Sequence, residues 1–248
     1  MSVLYIMWLR QLKRFWRSKA RMIGTLSQPL LFLFALGMGF GPVFEAAGRG
    51  DYIQYLAPGI IAMSILFTSL FNGIEVIWDR QFGFLKETLV APVPRWKIMF
   101  GKTLGGTTIA VIQGMIVLLL SMLLGFRPDS LISLIPALFF MILIALLFSS
   151  LGIAIASKLE DMQGFQLIMN FLIMPIFFLS GALFPLENLS PALTAITRID
   201  PLTYGVDGLR GALTGANHFP LLIDGLIISV LVVTFLSIGT YLFSRIQL

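Results

Sequence analysis

The chain has 248 residues, 58% of them hydrophobic and 12% charged, with a mean hydropathy of +0.95 and a formal net charge of +5. Soluble domains carry roughly 25% charged residues, so half that share, joined to apolar runs long enough to cross a bilayer, predicts an integral membrane protein. There is no cysteine and a single histidine, His218, which excludes a disulfide framework, a thiolate metal site and a histidine cluster.

Residues 1–22 do not follow the order of a secretory signal, whose charges precede its apolar core. Leu4, Met7, Trp8, Leu12, Phe15 and Trp16 form a helical stripe, and Arg10, Lys13, Arg14, Arg17, Lys19 and Arg21 crowd the remaining face and the end. This pattern predicts a helix lying in the membrane interface, with its cations toward anionic lipid. The alternative is a basic leader that only sets topology.

Six spans of about 20 residues follow, the length a bilayer core requires. They are predicted at 24–44, 55–78, 101–124, 131–156, 164–184 and 222–243. Gly37, Gly39 and Gly41 close the first span, and Gly101, Gly105 and Gly106 open the third. Small residues at this spacing let helices approach closely in lipid.

Between spans two and three lies the longest polar interruption in the first two-thirds of the chain, Asp79 to Lys102. It holds Arg80, Lys86, Arg95, Lys97 and Lys102 beside Asp79 and Glu87. Phe82, Leu85 and Leu89 recur at three- and four-residue spacing, which predicts a short amphipathic helix. Pro92 ends it, because proline lacks the amide hydrogen. A helix this short needs a surface to pack on.

Lys and Arg placement sets orientation. With the N-terminus inside, thirteen of the seventeen cations fall on that side, and Arg49, Arg127, Arg198 and Arg210 fall opposite. Both termini and the 79–102 loop are therefore expected in the cytoplasm, and the net charge is explained without nucleic acid.

The segment 185–221 is then external. Ser190-Pro191 and Asp200-Pro201 each join a capping side chain to a proline in the first helical turn. Two short helices are predicted, 191–199 and 202–214, with Leu189, Leu193 and Ile196 apolar in the first and Tyr204, Val206, Leu209 and Leu213 in the second. A pair that dips into the outer leaflet fits if protein covers its backbone; an amphipathic loop on the outer surface is the alternative. The expected fold is thus all-α: six transmembrane helices, an N-terminal interfacial helix, a cytoplasmic loop helix over 79–98 and an external re-entrant pair, in one domain.

The chain carries few signatures of catalytic chemistry. Ionisable residues in the middle of spans mark ion or proton relays; Glu75 lies near the inner end of span two and Asp224 near the outer end of span six, and neither sits at a midplane. Gly101-Lys102-Thr103 lacks the earlier glycine of a phosphate-binding loop, since Trp96 stands there. No nucleophile elbow or metalloprotease motif is present. The sequon Asn188-Leu189-Ser190 is followed directly by proline. Polar residues within spans include Gln28, Ser64, Thr68, Ser69, Asn72, Gln113 and Asn170; such groups bond between helices or line a path.

Two motif groups carry a resemblance. The first runs from Asp79-Arg80 through Gly83, Glu87, Leu89, Ala91, Pro92, Val93 and Arg95 to Gly101-Lys102. The second is Phe178-Leu179-Ser180-Gly181 with Phe184-Pro185, then Asp200-Pro201-Leu202-Thr203-Tyr204 and Arg210. With the order of elements, they make the whole chain resemble the permease subunit of type-2 ATP-binding-cassette exporters, which include daunorubicin-resistance-type and polysaccharide or lipid exporters. Asp200 departs mildly from the Asn or small residue usual there.

The resemblance implies a subunit without catalytic activity or cofactor of its own. Two such permeases, alike or related, would form the pore in the inner membrane, and two cytoplasmic ATPase subunits would hold ATP and Mg. The loop helix would seat in an ATPase cleft through Arg80, Phe82, Leu85, Lys86, Glu87, Leu89 and Arg95, its apolar side entering a groove and its charges fixing register. Spans one, two and five would face the second protomer, so Gln28, Ser64, Thr68, Asn72 and Asn170 would line the substrate path. A stand-alone secondary transporter or channel is the competing reading, and the lack of midplane charge argues against it. A lipid-modifying membrane enzyme is disfavoured by the missing catalytic constellation.

Overall fold

The structure, a computed structural model, describes all residues except Met1, Ala47, Arg49, Ala91, 187–189 and 247–248, and leaves the side chains of Ala20 and Arg21 aside. The sequon Asn188-Leu189-Ser190, Leu189 of the external segment, Arg49 of the outer cation count and Ala91 of the loop motif therefore lie wholly or partly outside the described residues.

The chain is all-α, and six of its helices are long and apolar enough to cross a membrane. An N-terminal helix, α1 (Val3–Arg17), begins at Ser2, whose hydroxyl accepts the Tyr5 amide hydrogen bond. The first span is α2 (Lys19–Ala46). The second runs through α3 (Tyr52–Phe71) and α4 (Ile74–Gln81), and the short α5 (Phe84–Val90) follows. The third span is α6 (Arg95–Leu123), the fourth α7 (Leu134–Ala156) and the fifth α8 (Met162–Leu179). The short α9 (Pro191–Ile199) and α10 (Pro201–Thr214) precede the last span, α11 (Leu221–Ser244).

The expected spans match these within a few residues, with two instructive differences. α6 starts at Arg95 rather than 101, because Pro94 serves as its N-cap. α8 stops at Leu179 rather than 184, because Gly181 turns the chain with φ +74°.

α3 is the axis of the bundle. It packs against α2, α6, α7 and α10, and its hydrophobic stretch is largely buried. Glycines allow its closest crossings. A Cβ on Gly152 of α7 would stand 2.5 Å from the Leu70 carbonyl oxygen. The glycines at the start of the third span do pack a helix, and the helix is α1: Cβ atoms on Gly101 and Gly105 would meet Met7 at 2.7 Å and Gln11 at 2.5 Å. Trp8 Nε1 adds a hydrogen bond to Thr108 Oγ1 at 3.0 Å. The stripe of α1 therefore does more than meet lipid. Met7, Gln11 and Phe15 are buried, while Trp16 stays exposed.

α10 is enclosed by α3, α7, α8 and α11. Its N-cap is made as expected, the Asp200 carboxylate accepting from the Leu202 amide at 2.9 Å. Ser190 makes no such bond, although Pro191 does open α9. Gly215 ends α10 in the left-handed region at φ +67°, a conformation glycine adopts without Cβ strain.

Candidate functional site

At one end of the bundle the cations concentrate, and one carboxylate gathers them. Asp79 sits in the last turn of α4 and is 3% exposed. Its Oδ1 and Oδ2 accept from Arg10 Nη2 and Nη1 at 2.7 and 3.0 Å. Its Oδ2 also meets Lys102 Nζ, and Lys102 is 1% exposed. Arg14 Nη1 lies 3.6 Å from Asp79 and 3.9 Å from Glu75. A bidentate guanidinium–carboxylate pair fixes geometry as well as charge, so Asp79 locks α1, α4 and α6 together.

Aromatic faces extend the cluster. The Arg10 guanidinium lies 3.6 Å from the centroid of Phe84, the first residue of α5, and Arg14 lies 4.9 Å from Trp78. Cations are attracted to such ring faces. Arg10 and Arg14, expected to point toward lipid headgroups, instead point into the protein. Residue spacing could not show this, because Arg10 and Asp79 are 69 positions apart.

The loop helix differs from expectation in its start and its face. α4 ends at Gln81, Gly83 turns the chain with φ +80°, and α5 starts afresh at Phe84. Phe82 therefore does not share a face with Leu85 and Leu89. Phe82 is 81% exposed, Leu85 is fully buried in the chain's own core, and Leu89 is half-buried. Lys86 and Glu87 are exposed, as is Val90, which the spacing did not single out.

Arg80 and Arg95 bond within the chain. Arg80 Nη1 donates to the Leu159 carbonyl at 3.1 Å, and Gln81 Nε2 to that of Glu160 at 3.3 Å, tying α4 to the α7–α8 loop. Arg95 Nη1 donates to the carbonyls of Ser244 and Ile246 at 2.7 and 3.0 Å. The Ser244 carbonyl is one that the end of α11 leaves without a helical donor, and Ile246 lies just beyond the helix. Of the residues assigned to the ATPase contact, Phe82, Lys86 and Glu87 are thus open to another molecule, as is Val90, and they stand on a base held by Leu85, Arg80 and Arg95.

The five residues assigned to a path are dispersed. Ser64, Thr68 and Asn72 are buried in the packing of α3. The Thr68 hydroxyl donates to Gln113 Oε1, and Gln113 Nε2 donates to Thr25 Oγ1, a relay joining α3, α6 and α2. Asn72 Nδ2 donates to the Lys102 carbonyl at 3.4 Å. Gln28 is half-buried on α2, and Asn170 is exposed on α8.

At the opposite end, Arg210 of α10 is buried. Its Nη2 donates to the Gly181 carbonyl at 2.9 Å, and its guanidinium stacks 3.9 Å from the Tyr55 ring centroid. Tyr55 and Tyr52 donate to the carbonyls of Gly181 and Leu183 at 2.7 and 3.1 Å. The Asp207 carboxylate accepts from the amides of His218 and Phe219 at 2.7–2.9 Å. These bonds anchor the Ser-Gly-Ala-Leu-Phe-Pro turn and the loop after α10. Asp200 is buried there, and burial pushes its carboxyl up to about 7, against the lowering bond from the Leu202 amide. Among the described residues no group of three or more His, Cys, Asp or Glu side chains could hold a metal ion.

The family model for ABC-2 type transporters matches residues 2–214. The chain is 30% identical over 201 residues to the putative transport permease ycf38 of Cyanophora paradoxa, across 78% of this chain and 68% of that protein. It is 30% identical over 222 residues to nodulation protein J of Rhizobium meliloti (strain 1021), across 88% and 84%. It is 27% identical over 244 residues to the inner membrane transport permease YadH of Escherichia coli (strain K12), across 96% and 93%.

Proposed function

This chain belongs to the ABC-2 type transporter family, and from that premise we propose that it is the permease of an ATP-driven exporter. It carries a hydrophobic or amphiphilic substrate (a drug, lipid or glycan) outward by alternating access. A second permease, identical or related, completes the conduit, and two cytoplasmic ATPase subunits bind ATP and Mg. Thirteen of seventeen cations on one side support an inner-membrane orientation with both termini in the cytoplasm. The relative named as an inner membrane transport permease agrees with it.

The observation that carries the reading is the Asp79 cluster beneath α5. Lys86, Glu87 and Val90 of α5, and Phe82 just before it, are exposed, while the helix is fastened to the core by Leu85 and, through Arg10, to α1. A load on these residues reaches α1, α4 and α6 through one buried carboxylate. α5 is therefore the coupling helix, and its contact set is Phe82, Lys86, Glu87 and Val90, with Leu89 at the edge. Arg80, Leu85 and Arg95 act as its mounting. The exposed faces of α2 and α8, carrying Gln28 and Asn170, meet the second protomer and substrate. α9 and α10 form the external re-entrant pair.

The test is co-purification of the tagged chain with its ATPase from native membranes, followed by ATP turnover in proteoliposomes. Phe82→Asp and Glu87→Lys should abolish association while the purified permease keeps its thermal stability. Unchanged association and stimulated turnover in both variants would remove the coupling role. Vectorial transport by the permease alone would remove the ATP-driven reading.

A further inference from the structure

A groove of about 740 Å3 runs between the start of α6 and the end of α11, the ends that the proposed orientation puts at the cytoplasmic face, within the ~300–1,000 Å3 typical of small-molecule sites. We propose that it is a binding site for one anionic glycerophospholipid of the cytoplasmic leaflet. An acyl chain lies along α11, and the headgroup phosphate sits among Arg95, Lys97 and Arg245.

The length fits one leaflet. The groove extends along α11 from Val233 to Ser244, about 16 Å at 1.5 Å per residue. That is close to half of the ~30 Å hydrocarbon core. Its walls are graded in the same direction. Val233, Leu236 and Phe100 line it, and Trp96 and Tyr241, both substantially exposed, flank the polar end. Tryptophan and tyrosine favour headgroup depth.

The charge is one-sided. Arg95 lines the groove, Lys97 Nζ lies 5.5 Å from the Trp96 centroid, and the Arg245 guanidinium lies 5.2 Å from that of Tyr241. Among the described residues no carboxylate lines the groove and α6 contains none; the acid of α11, Asp224, is about 26 Å up the helix from Tyr241 at 1.5 Å per residue. Clustered cations at the leaflet surface attract anionic lipid. Arg95 also holds the carbonyls of Ser244, the last residue of α11, and of Ile246 just beyond it, so an occupied site braces α6 against α11 where the chain leaves the cytoplasmic loop. The site does not depend on the ATPase reading.

The test is native mass spectrometry of the full chain in detergent, titrated with phosphatidylglycerol or phosphatidylcholine of equal chain length. One phosphatidylglycerol should be retained well above phosphatidylcholine. Lys97→Gln with Arg245→Gln should lower phosphatidylglycerol affinity about 25-fold, at about fivefold per cation. Ser237→Trp, which fills the groove without touching a cation, should remove that lipid while circular dichroism and elution volume stay unchanged. Equal retention of the two lipids, or a preference that survives the double variant, overturns the proposal. So does displacement of the lipid by millimolar glycerol 1-phosphate, which would mean that the groove holds no chain.

Discussion

Replacing Asp79 by Asn tests the central cluster most directly. The substitution keeps the shape of the side chain and removes its charge. Lys102, 1% exposed, then retains a buried ammonium without its carboxylate. Breaking a buried pair by deleting one partner costs about 3–5 kcal/mol, because the other charge stays desolvated. Arg10 and Arg14 are 29% and 33% exposed, so water screens them, and their lost pairing adds about 1 kcal/mol at most. A chain of this size shifts by roughly 2–4 °C per kcal/mol, so the midpoint should fall by about 10 °C in a detergent thermal-unfolding assay. The double variant Asp79→Asn with Lys102→Met removes the stranded ammonium and should recover a good part of that loss. Non-additivity is the signature of direct interaction. If Asp79→Asn moves the midpoint by only a degree or two, or the double variant is simply the sum of the singles, Asp79 is not the lock between α1, α4 and α6.

Three further outcomes follow from the same structure. Leu85→Ala should cost about 2–5 kcal/mol as a large-to-small core change, whereas Phe82→Ala should leave the unfolding midpoint within about a degree, since its ring is 81% exposed; equal losses would contradict the placement of α5. Gly152→Val should lower folded yield severely, because its Cβ would be forced to 2.5 Å from the Leu70 carbonyl, while Gly39→Ala on α2 has open space around it and should be silent in size-exclusion profiles. Stability should also fall as pH rises from about 4 to 7. Asp200 holds its proton in the fold up to about 7 but loses it near 4 when unfolded, so the unfolded state binds fewer protons in that window. Asp200→Asn keeps an N-cap acceptor and should flatten this part of the midpoint-versus-pH curve; an unchanged slope would place the titrating group elsewhere.

Much of the architecture was legible in the chain itself. Hydropathy is summed over neighbours along one strand of sequence, and the bilayer sets the length of the sum, so six spans, their order and the cation asymmetry could be read directly. Asp200-Pro201 announced α10 for the same local reason, since a cap and its proline act within one turn. Gly101 and Gly105 signalled a close helix contact, though not with which helix.

Tertiary structure alone decided who meets whom. α3 is apolar around nearly its whole circumference, so no periodicity told which of Ser64, Thr68 and Asn72 faced a neighbour, and all three are buried. The break at Gly83 rotated Phe82 away from Leu85, a change of face that spacing across a presumed continuous helix cannot register. Asp79 joins Arg10 and Lys102 from 69 and 23 positions away. In the sequence Asp79 is one acid of a polar loop motif; only folding removes its water and leaves cations as its partners.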